Sequence, residues 1–166
     1  MYIRPHLQYC VQAWSPYLAK DIEVLERLQK VVTDLVSRLR KYSYADRLKV
    51  LGLPSLKERR ERGDMIEVYK VFIVLNGKEH IDSGQFFTLA ENHYCLRGHE
   101  MKLTKEWSRL DIRKHSFSQR IINSWNSLPG SVVNAKTVIG FKNAYDRNYR
   151  NDMDVRSWWA CRSIIL

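Results

Sequence analysis

The sequence predicts a mainly α protein, a helical module with one small antiparallel β-hairpin. Three observations carry this expectation. Apolar residues recur at spacings of three and four over most of the chain, Ser, Asp or Thr stand where such runs begin, and one stretch near residues 100–113 changes to period two.

Taken in order, residues 3–18 open with Arg4-Pro5, and Leu7, Cys10, Val11 and Trp14 follow at helical spacing. This places Cys10 on an apolar face, in the core. Ser15-Pro16 ends that helix. Asp21 reads as the N-cap of the next, whose apolar positions Leu25, Leu28, Val32, Leu35 and Leu39 form the clearest amphipathic stripe in the chain. Tyr44, Leu48 and Leu51 predict a short helix after Ser43, closed by Gly52 ahead of Pro54. Ser55-Leu56-Lys57-Glu58 is a capping box, in which hydroxyl and carboxylate reciprocally satisfy free amides. The helix it opens should run to about Asn76 and bury Met65, Ile66, Tyr69, Phe72 and Ile73.

Residues 79–96 show no period and contain Glu79, Asp82 and Glu91 but no Lys or Arg, so they read as a connector. Met101 and Leu103, then Leu110 and Ile112, alternate with polar residues and predict two strands joined near Lys105 to Ser108. Ser116 to Gln119 is a second capping box, opening a helix with Phe117, Ile121, Ile122 and a packed Trp125 on one side, stopped by Leu128-Pro129-Gly130. Thr137 caps a last helix through Val138, Phe141, Tyr145 and Tyr149. The expected organisation is therefore 1–78, a thumb-like helical segment; 79–96, the connector; 97–149, hairpin plus two helices; and 150–166, a divergent tail without an expected fold.

Composition narrows the function classes. With 45% hydrophobic residues, 7 Gly and 4 Pro in 166 residues, the chain can build a core and is neither fibrous nor disordered. Its longest apolar run, residues 71–75, is far short of the roughly 20 residues that span a bilayer, so no membrane partner is expected. No signal peptide is visible, and 3 Cys cannot all pair within one chain. An intracellular location, nuclear or cytoplasmic, with reduced thiols is expected. The 28 Lys and Arg against 18 Asp and Glu, net +10, suit a polyanionic partner, though a basic balance also serves simple solubility.

Residues for chemistry are sparse. His93, Cys95 and His99 form the nearest approach to a metal cluster and lack a fourth ligand, so no metal and no cofactor is expected. Tyr44-Ala45-Asp46-Arg47 resembles the Tyr-x-Asp-Asp turn of reverse transcriptases, but Arg47 stands where the second carboxylate belongs. A first-turn carboxylate behind Ser43 accounts for Asp46, and no catalytic residue is assigned. The remaining signal is basic. Arg59, Arg60 and Arg62 lie at a helix start, and Lys102, Arg109, Arg113 and Lys114 share or border the exposed face of the expected hairpin. Such arrays fit backbone phosphates. They equally fit a solvated helix laced by Lys57–Glu61 and Glu58–Arg62 pairs.

Four strings then carry a family resemblance: RPHLQYCVQAWSPYLAKDIEVLERLQK at 4–30, YADRLKVLGLPSLKERRERGDMIEVYK at 44–70, RGHEMKL with SRLDIRKHSFSQRIINSWNSLP at 97–103 and 108–129, and VVNAKTVIGFKNAYDR at 132–147. In order and spacing they resemble the C-terminal, thumb and post-thumb end of reverse transcriptases from jockey-like non-LTR retrotransposons. The resemblance implies that the endonuclease, the fingers, the palm and its metal-binding carboxylates belong upstream of the matched region. It implies a truncated RNA-directed DNA polymerase with no catalysis of its own, binding RNA or an RNA–DNA duplex without regard to sequence. The alternative is a helical interaction module that meets another protein or another copy through the surface left by the missing palm. Residues 150–166, with Trp158-Trp159 and Cys161, fall outside the resemblance.

Overall fold

The computed structural model describes residues 9–75, 87–90 and 98–150. The fold is mainly helical. The described residues up to Glu61, together with 149–150, form one compact unit, and Arg62–Asn148 form a second.

The first unit begins with a single turn, α1 (Val11–Trp14), entered through Cys10 at φ 51. Val11 is buried, whereas Cys10 is exposed, which corrects its expected place in the core. Residues 3–8 of the expected first helix lie outside the described residues. Helix α2 (Ala19–Asp34) starts ahead of Asp21: its N-cap is Leu18, whose carbonyl accepts from the Asp21 and Ile22 amides, so Asp21 sits in the first turn as a carboxylate favoured by the helix dipole. A 3₁₀ turn (Ser37–Leu39) buries Leu39. Helix α3 (Tyr44–Val50) opens as expected on Ser43, whose Oγ accepts from the Asp46 amide at 3.2 Å and donates to Asp46 Oδ2 at 2.6 Å. It closes on Gly52 at φ 59, where the Leu53 amide donates to the Leu48 carbonyl and the Gly52 amide to that of Lys49. That paired geometry needs a left-handed residue, which glycine supplies without a Cβ clash.

Helix α4 (Leu56–Leu75) opens on the expected capping box: the Glu58 amide donates to Ser55 Oγ at 3.2 Å and the Ser55 amide to Glu58 Oε2 at 3.0 Å. In the second unit its residues Met65, Ile66, Val68, Tyr69 and Phe72 are buried. They share a core with Ile122 and Trp125 of α7 (Ile122–Asn126), Val132 and Val133 of α8 (Gly130–Val133), and Phe141 and Tyr145 of α9 (Val138–Arg150). Aromatic rings dominate it. Tyr69 stacks on Phe141 at 4.2 Å, and Phe72 lies 5.7 Å from Trp125. Thr137 caps α9 as expected, its Oγ1 accepting from the Gly140 amide at 3.0 Å.

The hairpin is not formed. Among the described residues there is no strand, only an isolated antiparallel bridge between Leu89 and Leu103. Around it the Ala90 amide donates to the Lys102 carbonyl at 2.7 Å and the Thr104 amide to that of Thr88 at 2.9 Å. The opposite edge of 101–104 is held by side chains: Asn126 accepts from the Leu103 amide and donates to its carbonyl, each at 2.8 Å, while Trp125 Nε1 donates to the Met101 carbonyl at 2.7 Å. With both edges occupied, residues 109–113 have no ladder to join. They turn instead into α5 (Asp111–Lys114), leaving Leu110 and Ile112 exposed.

The second capping box also fails to close. Ser116 Oγ donates to the Arg113 carbonyl at 2.7 Å instead of capping α6 (Phe117–Arg120), and the side chain of Gln119 is buried. Of the stretch expected as a connector, Phe87 is buried against Phe72 and Phe117, at 5.8 Å from each. The other residues of 79–96, apart from 87–90, lie outside the described residues, as does the tail beyond 150.

Candidate nucleic-acid interface

The cations singled out in the sequence have different fates. In the first unit Arg60 is only 5% exposed, which removes its guanidinium from any phosphate arriving through solvent. Arg59, beside it, is half-buried. In the second unit Arg62 grips Asp146 with both ends of its fork, Nε to Oδ1 at 2.6 Å and Nη2 to Oδ2 at 2.9 Å. That hydrogen bonding raises the Arg62 pKa. Its bidentate geometry makes Arg62 a tie to α9. Of the two helix-surface pairs expected, Lys57–Glu61 is present at 3.9 Å, whereas Glu58 serves the cap and Arg62 serves Asp146.

The other four cations lie in residues 102–114, but not on a common strand face. Lys102 is half-buried beside the bridge. Arg109 is exposed and has no hydrogen bond or ion pair among the described residues. Arg113 and Lys114 sit on the turn α5, where Arg113 meets Glu106 at 3.0 Å and Lys114 meets Asp111 at 2.9 Å. All four partners are well exposed, so these pairs hold their geometry weakly. Lys114 beside Asp111 nonetheless keeps that carboxyl below its ordinary range.

No protein-family model, curated protein or solved structure matches this chain.

The irregular segment 104–110 contributes a residue that sequence reasoning passed over. Trp107 is 86% exposed and stands between Lys105 and Arg109, both also exposed. A large apolar ring held in water is unfavourable by the hydrophobic effect, whereas neighbouring cations and an accessible π-face suit a stacked base over its phosphates. The sequence signal is a tryptophan alternating with cations, Lys105-Glu106-Trp107-Ser108-Arg109, inside the stretch that reads as a hairpin turn.

Asp46, the carboxylate of the Tyr-x-Asp-Asp-like string, is held by the Ser43 cap and lies in a helix. His99 is buried, and its Nε2 stands 3.1 Å from the Trp125 carbonyl, which can only accept, so that nitrogen carries the hydrogen. His93 and Cys95 lie outside the described residues. Among the described residues no group of three His, Cys, Asp or Glu side chains gathers to hold a metal, and no helix is long and apolar enough to cross a membrane.

Proposed function

We propose that this chain is a non-catalytic nucleic-acid-binding module, related to the C-terminal end of a non-LTR retrotransposon reverse transcriptase, that holds single-stranded RNA without sequence preference. The observation that carries the reading is the exposed Trp107 flanked by exposed Lys105 and Arg109. Arg113 and Lys114, loosely paired at the surface, add charge that a phosphate can compete for. The resemblance of four ordered strings supports the relationship. It also assigns the carboxylates of such polymerases to a segment upstream of the matched region, so no residue within that region is given a catalytic role.

Two expected outcomes test this. Trp107→Ala should weaken binding to single-stranded RNA by about 1–3 kcal/mol, or roughly 5- to 150-fold, with the same loss on unrelated sequences. Arg109→Gln should lower the slope of log affinity against log salt by about 0.7, the share of one phosphate contact on a single strand. Both residues are exposed, so melting temperatures should not move. Wild-type affinity in both variants, or no binding of the parent at low salt, would sink the proposal. A third expected outcome is that the protein extends no primer with template, deoxynucleotides and magnesium. Extension lost in Asp46→Asn would overturn the non-catalytic reading.

A further inference from the structure

Helix α2 carries its polarity the wrong way round for a monomer. Its polar residues serve its own unit: Glu26 accepts from the Tyr44 hydroxyl at 2.6 Å and from the Lys57 amide at 3.0 Å, Gln29 donates to the Pro54 carbonyl at 3.0 Å, and Thr33 is buried. Burial, then the bond to Glu26, raises the Tyr44 pKa, as expected of a phenol engaged with a carboxylate. The apolar stripe looks outward instead. Val24 is 55%, Leu28 45%, Val31 56% and Leu35 70% exposed. Of the amphipathic stripe read from the sequence, Leu28, Val32 and Leu35 are exposed, while Leu39 is buried in the 3₁₀ turn.

Those four residues step by four, three and four, the spacing of the a and d positions of a coiled coil. In that register Leu28 and Leu35 are a, and Val24 and Val31 are d. Arg27 and Asp34 take the g positions, Leu25 and Val32 the e positions. We infer that α2 pairs antiparallel with α2 of a second copy of this chain. Under the two-fold symmetry of such a pair, Leu28 meets Val31 of the second copy and Val24 meets its Leu35, each twice. On one flank Arg27 then faces Asp34 of the second copy, and on the other Leu25 faces Val32. Arg27 is exposed, and the Asp34 side chain is 50% exposed even while it holds Arg47. A parallel pair would instead set Arg27 against the apolar Val32, so the charges select the antiparallel arrangement. This goes beyond the proposed RNA contact and uses none of its residues.

The stripe spans about 16 Å of helix, less than a standard interface, so association is weak and depends on concentration. The test is sedimentation equilibrium of the nuclease-treated full chain over a wide concentration range. The average mass should rise from 19.7 kDa towards twice that value. Leu28→Glu and Val31→Lys should each raise the dissociation constant at least about tenfold, a change of about 1.4 kcal/mol, without lowering the melting temperature. An equimolar mixture of the two variants should associate again, because the antiparallel register sets position 28 of one against position 31 of the other. A wild type that stays monomeric, variants that associate like it, or a mixture that does not recover overturns the inference. So does a lowered melting temperature in both variants, which would show the stripe covered within its own chain.

Discussion

Trp125→Ala is expected to destabilise the second unit by about 3–5 kcal/mol. The ring is fully buried and stands among Phe72 at 5.7 Å, His99 at 5.9 Å and Phe141 at 6.1 Å. Truncation leaves a cavity at the junction of α4, α7 and α9, and withdraws dispersion contacts from several aromatic faces at once. It also removes the Nε1–H that serves the Met101 carbonyl. Against an ordinary domain stability of about 5–15 kcal/mol, the loss brings the fold close to its limit. Urea denaturation followed by far-ultraviolet circular dichroism should show an earlier midpoint. Trp125→Phe, which keeps most of the ring but not the donor, should recover the larger part. An unchanged midpoint in the Ala variant would contradict the packing described.

Asp64→Ala is expected to cost a similar amount, about 3–5 kcal/mol, for an electrostatic reason. Asp64 is buried on α4 and receives Arg120 through two bonds of 3.0 Å, Nε to Oδ2 and Nη2 to Oδ1. The guanidinium also lies 5.7 Å from the centre of the Phe117 ring. Removing the carboxylate leaves a positive charge where little water reaches it, since the Arg120 side chain is only 19% exposed. Replacing both partners, Asp64→Leu with Arg120→Met, removes the uncompensated part of that charge and should return most of the stability. A double variant no more stable than Asp64→Ala would contradict that account.

Local chemistry was the legible part of this chain. Ser43, Ser55 with Glu58, Gly52 and Thr137 act within a few residues of themselves, and each does in the structure what its neighbours imply. Trp125 was legible too, because it continues an apolar helix face. Two local readings failed, Asp21, which lies inside the first turn, and Ser116, whose hydroxyl donates to the Arg113 carbonyl; the rest of what escaped was decided at a distance. The alternation at 109–113 spans too few residues to separate a strand from a turn of helix, and the partner that 101–104 chose, 88–90, lies on its N-terminal side. Asn126, which closes the other edge, is an ordinary helix residue to any local pattern. Periodicity revealed the stripe on α2 but not the direction it faces, which depends on where Tyr44 and Pro54 offer polar groups to Glu26 and Gln29. Among the candidate phosphate-binding residues the cations were visible and their company was not: Arg62 meets a carboxylate from residue 146, and Arg60 is buried.

The clasp of Asn126 on Leu103 also bears on which backbone edge is open to another chain. An extended segment with an open edge is a template on which another chain can add a strand. Here the Met101 carbonyl and both Leu103 groups on one side, and the Lys102 carbonyl and Thr104 amide on the other, are engaged. One amide side chain thus does the blocking for which sheet proteins commonly use an extra strand, a proline or a charged edge residue.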